Sequence, residues 1–142
     1  PCSFGQTYRG ECPTGEQDLS GGVLPGSSDW KLNLMLSYKI PTESLPFDWT
    51  LAANITAQDD VQYSVTQDPN TVQGAYELLD LSLGLNDKAD QYSTTLSIKN
   101  VLDKHYVQGI GSVSSLMLPN GYVQQVPVNH QRTVAIDLRY RW

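Results

Sequence analysis

The side chains with the widest chemical range in this 142-residue chain are two histidines, His105 and His130, and two cysteines, Cys2 and Cys12. The histidines flank one long loop and lack Cys or carboxylate partners at metal-ligand spacing, so they read as loop residues, and neither a metal nor a cofactor is expected. The cysteines lie in a Gly- and Pro-containing loop, PCSFGQTYRGECPTG, where the natural reading is a local disulfide formed in an oxidising compartment; two reduced thiols in a cytosolic loop are the alternative. Closing so short a ring would contribute roughly 2–3 kcal/mol. The chain has no GxSxG elbow, Walker loop or His-Glu-x-x-His, so no catalytic residues are assigned and an enzyme is not expected. The sequon Asn54-Ile55-Thr56 falls in mid-strand, and Gly22 and Gly26 form a GxxxG only within a Pro-containing loop, so neither carries its usual meaning.

The elements around these residues are strands. Residues 1–29 are turn-rich and without period, and read as one long loop. From residue 30 alternation begins: Trp30, Leu32, Leu34, Leu36, Tyr38 and Ile40 share a face opposite Lys31, Asn33, Met35, Ser37 and Lys39. Pro41 and Pro46 impose a turn, and a second alternating segment follows over 47–58. A polar loop over 59–74 precedes a third strand, 75–85, with Leu79, Leu81, Leu83 and Leu85 in phase. A compact turn at 86–91 leads to a fourth over 92–99, a phase slip at 100–103 predicts a strand end or bulge, and a long loop over 108–129 precedes the last strand, 132–142.

Soluble sandwiches also alternate, but three features favour an antiparallel transmembrane β-barrel. The segments run about 10–12 residues, as a tilted strand crossing a bilayer needs, against about 5–6 for ordinary strands. Short connections (41–46, 86–91) alternate with long ones (1–29, 59–75, 108–129), the pattern of periplasmic turns and extracellular loops. Aromatic residues collect at strand ends. A charge facing lipid at the midplane costs roughly 2–4 kcal/mol, and Lys31, Lys39, Asp48, Asp80, Lys99, Asp137, Arg139 and Arg141 all take the phase opposite the apolar stripe, implying a polar lumen. About five strands do not close a barrel, so more strands are expected; the chain starts at Pro1 without a signal peptide, which favours a longer polypeptide over assembly of several copies. No apolar run reaches the roughly 18 residues of a membrane helix. A net charge of −6 with no basic stripe argues against nucleic acid as a partner.

Taken together, LPGSSDWKLNLMLSY, ELLDLSLGL, LSIKNVLDKHYV and VAIDLRYRW resemble the C-terminal strands of TonB-dependent outer-membrane receptors, over about Leu24 to Trp142. Asn100, Leu102, Asp103 and Tyr106 match that family's Asn-Leu-Phe-Asp-x-x-Tyr signature, with Leu where Phe is commoner. Val134, Ile136, Leu138, Tyr140 and the terminal Trp142 look like the signal read by the outer-membrane assembly machinery, with Trp for the usual Phe.

The resemblance implies an all-β fold: about five C-terminal strands (30–142) of a larger barrel of about 22 strands, preceded by an extracellular loop (1–29) with the Cys2–Cys12 pair. It implies a bacterial outer-membrane location with the C-terminus at the periplasmic side. It further implies uptake of a scarce nutrient, foremost a ferric siderophore or similar iron complex. Expected partners are the remainder of the barrel and its plug, the TonB complex acting through an N-terminal part that this sequence lacks, lipid and lipopolysaccharide, and the small-molecule nutrient. Tyr8, Arg9, Tyr122, Gln124 and Gln125 are the loop residues placed to meet ligand, beside the alternative that they are solvated loop positions. Competing readings are a plug-less porin and a secreted soluble β-sandwich binding module.

Overall fold

The computed structural model of the chain describes residues 2, 6–7, 10, 12–113, 121–128 and 130–142. Its strands are β1 (Lys31–Ile40), β2 (Phe47–Gln58), β3 (Val61–Gln62), β4 (Val72–Gln73), β5 (Tyr76–Asp87), β6 (Tyr92–Lys99), β7 (Gly109–Ser112), β8 (Tyr122–Gln125) and β9 (Thr133–Tyr140), with a 3-10 turn at Pro69–Thr71 before β4. The fold is all-β. Two compact units form: Pro1–Lys31 with Gln58–Tyr76 and Tyr106–Pro127, and Leu32–Ala57 with Glu77–His105 and Val128–Trp142.

The second unit is built on an open antiparallel sheet of order β1-β2-β5-β6-β9, so each long strand lies beside its neighbour in sequence and β1 and β9 form the edges. Register aligns the apolar phases: Leu81, Leu83 and Leu85 face Ile98, Leu96 and Thr94, which in turn face Val134, Ile136 and Leu138. The opposite face pairs polar with polar, Ser82 with Ser97, Thr95 with Asp137 and Ser93 with Arg139. It is reinforced by a Lys39–Asp48 ion pair at 3.1 Å and by amide-to-hydroxyl bonds from Asn33 to Thr56 (3.0 Å) and Asn86 to Thr50 (3.1 Å).

Among the described residues, the apolar face stands largely exposed. Leu36 is 53% exposed, Ile136 68% and Leu138 76%, and the buried apolar residues among those described, Cys12, Val61 and Tyr106, all lie outside the five long strands. A soluble domain buries such a stripe, since each leucine fully removed from water contributes about 1.5–3 kcal/mol. Aromatic rings gather at the short-connection end of the same face: Tyr92 and Tyr140 lie 4.9 Å apart, Tyr140 and Trp142 6.3 Å, and Phe47 meets Trp49 edge-on at 6.4 Å.

The two short connections are tied together. Thr42 Oγ1 donates to the Phe47 carbonyl, Lys88 Nζ donates to the Thr42 carbonyl, and the Lys88 amide donates to the Pro46 carbonyl at 3.0 Å. Asn86 and Asp87 extend β5, so the turn is shorter than the expected 86–91, because ladder bonds continue through Asn86↔Ser93. The loop expected over 59–74 contains β3, the 3-10 turn and β4, and that over 108–129 contains the β7–β8 hairpin. These pieces are two to four residues long, too short for periodicity to show.

The phase slip at 100–103 is a strand end with a specific lock. Asn100 is buried with φ 50°. Its amide donates to Asp80 Oδ1 (2.9 Å), its Nδ2 donates to the carbonyls of Lys104 (3.0 Å) and His130 (2.8 Å), and its Oδ1 accepts from the Lys104 amide (2.9 Å). Asp103, also left-handed at φ 52°, accepts the Arg132 amide on Oδ1 at 3.0 Å. Asparagine tolerates this backbone region while supplying both donor and acceptor, which no other small side chain does without strain. Asn100→Ala is expected to cost roughly 2–4 kcal/mol, through orphaned buried partners and left-handed strain, and Asn100→Gly to recover about 1 kcal/mol of that; urea midpoints followed by tryptophan fluorescence measure both.

Candidate ligand-binding cleft

The first unit is organised around a buried carboxylate. Asp68 initiates the 3-10 turn, its Oδ1 accepting from the Asn70 amide and from Asn70 Nδ2 (both 3.0 Å), while Pro69 supplies the fixed φ suited to the first position of the turn. Oδ2 accepts from the Tyr122 hydroxyl at 2.8 Å, so β8 is pinned to the turn. Gln62, on β3, donates through Nε2 to the Asp68 carbonyl (3.0 Å) and accepts the Ser64 amide on Oε1 (2.9 Å), and the Thr71 hydroxyl lies 2.5 Å from the same oxygen. Gln62, Asp68 and Thr71 are all buried. A polar core of this kind holds its shape because its groups pair with one another.

That framework carries a second layer. Gln73 Oε1 accepts the Val107 amide (2.9 Å), and the Tyr63 hydroxyl donates to the Val107 carbonyl (3.2 Å). Tyr106 stacks on Tyr76 at 4.6 Å and is buried, which gives it a packing role within its unit. Burial pushes the Tyr63 phenol above its ordinary value, so it stays a neutral donor. The Cys2–Cys12 disulfide is formed, with Cα atoms 6.4 Å apart, and closes the loop near the start of the chain.

A concavity of about 370 Å³ opens over the β7–β8 hairpin, lined by Tyr63, Gln108, Gly109, Gly111, Ser112 and Gln125 with the flanking Ile110 and Val123. The hairpin is antiparallel, with Gly109 opposite Gln125 and Ile110 opposite Gln124. A Cβ on Gly109 would stand 3.0 Å from Gln125 Oε1, whereas one on Gly111 would meet nothing within 4 Å; glycine thus lets the Gln125 amide close over β7 at 109 and leaves bare backbone two residues further along the same strand.

The loop positions expected to meet ligand divide as follows. Gln125 lines the concavity; Gln124 is exposed on the same strand; Tyr122 is a framework residue whose hydroxyl is committed to Asp68; Tyr8 and Arg9 lie outside the described residues. Tyr63 and Gln108 line the concavity without having been singled out by sequence, because each is an isolated polar or aromatic residue in a segment with no period. His105 and His130 meet edge to face at 5.8 Å, and among the described residues no group of three or more His, Cys, Asp or Glu is placed to hold a metal.

Tyr122→Phe removes the phenolic proton from Asp68 and is expected to loosen the turn by about 1–1.5 kcal/mol, read as roughly tenfold faster amide hydrogen exchange across 58–76. Compared with protein-family models, curated proteins and solved structures, the chain has no match.

Proposed function

We propose that the chain is the C-terminal part of the barrel of a TonB-dependent outer-membrane receptor, supplying wall and ligand-facing loops to a transporter of a scarce nutrient. The observation that carries this reading is the register-aligned apolar face of the long-stranded sheet, exposed on every strand among the described residues and free of charge in mid-strand. Lipid is the partner such a face takes when the opposite face is polar. The exposed aromatic cluster of Tyr92, Tyr140 and Trp142 suits the membrane–water interface. No helix among the described residues is long and apolar enough to cross a membrane, which bears on helical spanning alone.

Strand parity supports completion by other strands over self-assembly. With five antiparallel strands, β1 and β9 run in the same direction. Copies inserted in one orientation would therefore meet β9 to β1 in parallel, against the antiparallel pattern of such barrels. An odd complement of strands, about 17 for a 22-stranded barrel, closes the wall with antiparallel pairs throughout.

Two substitutions on neighbouring residues test the assignment. Leu96→Arg puts a charge on the apolar face and is expected to block assembly, at roughly 2–4 kcal/mol, whereas Thr95→Arg, on the polar face beside Asp137, leaves it intact. The readout is heat-modifiable mobility of the membrane fraction on gels. Equal tolerance of both changes, or a chain that stays in buffer without detergent as a monomer of 15.7 kDa, would mean a soluble sandwich instead.

A further inference from the structure

Charge is distributed unevenly along this chain. The first unit contains Arg9 and Lys31 against Glu11, Glu16, Asp18, Asp29, Asp59, Asp60 and Asp68; two cations against seven carboxylates leave −5 of the chain's formal −6. The residues that line the concavity carry no charge, and the sequence has no Lys or Arg in 58–76 or 106–127. An anionic ligand entering there, such as a ferric catecholate or a haem propionate, would lose hydration without a counter-charge and would approach through a field of its own sign.

The lining chemistry is of another kind. Gln108 and Gln125 bring side-chain amides, each a donor and an acceptor side by side, the pattern that matches adjacent hydroxyls. Ser112 adds a hydroxyl, Gly109 and Gly111 allow backbone to approach closely, and Tyr63 offers an aromatic surface whose own hydroxyl is occupied by Val107. Aromatic surface for C–H groups, amides for hydroxyls and an absence of charge describe a site for a neutral sugar.

We infer that the concavity between Tyr63 and the β7–β8 hairpin is a subsite for a neutral, polyhydroxylated ligand, an oligosaccharide in class, and not for an anionic iron chelate. The inference rests on the receptor reading and replaces its expected cargo. Its chemistry is non-covalent: hydroxyls exchange water for the Gln108, Gln125 and Ser112 side chains, and one sugar face covers Tyr63.

The test is calorimetry on the full-length protein in detergent micelles. Probes are α-1,4-glucan, β-1,4-glucan, β-1,4-xylan and α-1,6-mannan hexasaccharides, with a ferric tris-catecholate as the anionic comparator. At least one hexasaccharide is expected to bind and the ferric complex not to. Gln125→Ala should weaken binding about tenfold and Tyr63→Ala more. Val65→Ala, at an exposed position of the same unit outside the concavity, should leave binding unchanged, and unaltered thermal melts of the alanine variants control for folding. Binding of the ferric complex alone, no binding of any hexasaccharide, or hexasaccharide affinity unchanged in the Gln108→Ala/Gln125→Ala double variant overturns the inference. The two readings fail separately: a membrane-assembled protein without sugar binding overturns the ligand class alone, and sugar binding by a chain soluble without detergent overturns the barrel alone.

Discussion

The pairing of Leu83 with Leu96, and of Leu96 with Ile136, sets the phase of three strands at once. A strand repeats every two residues, so a slip of one position would carry Asp137 and Arg139 to the apolar side and bury leucines among hydroxyls. The rest of the sheet follows from keeping that phase. Lys39 finds Asp48, Asn33 finds Thr56 and Asn86 finds Thr50 because the polar phase is shared as strictly as the apolar one. A sheet sorted so completely, with no helix or second sheet of its own unit over its apolar side among the described residues, pairs the backbone of its inner strands inside the ladder, keeps the outer edges of β1 and β9 open and leaves its side chains to the surroundings.

Where the phase is released, specific polar groups take over. Asn100 ends β6 by bonding to Asp80, Lys104 and His130 from a left-handed backbone, and Asp103 repeats the device on the Arg132 amide. These bonds turn the chain out of the sheet and return it at β9. Asn100 and Asp103 are thereby architectural, and Tyr106 packs on Tyr76 within its own unit. None of the three is free to serve a ligand.

The loop unit is stabilised differently. Its buried residues are mainly polar, Gln6, Gln58, Gln62, Asp68 and Thr71, with Val61, Tyr106 and Cys12. Hydrogen bonds stand in for apolar area, and the disulfide adds covalent closure. Side chains committed to this framework, Tyr122 above all, leave the amides and glycines of the hairpin as the surface that faces the concavity.

Period-two alternation over eight to twelve residues, with prolines at 41 and 46, was enough by itself to determine the five long strands, their faces and the short turns between them, because each strand repeats one local rule many times. The proximity of Cys2 and Cys12 in sequence likewise made their pairing legible. The short strands β3, β4, β7 and β8, the role of Asn100 and the concavity around Tyr63 were decided by tertiary structure alone. Each depends on partners 10 to 60 residues away, as when Tyr122 reaches Asp68 or Tyr63 reaches Val107, and a two-residue strand has no period from which to read it. Tyr122 and Gln125 look alike in sequence, as polar loop residues three apart. The fold makes one a strut and the other a wall of the cleft, because the first points at a buried carboxylate and the second lies over a glycine.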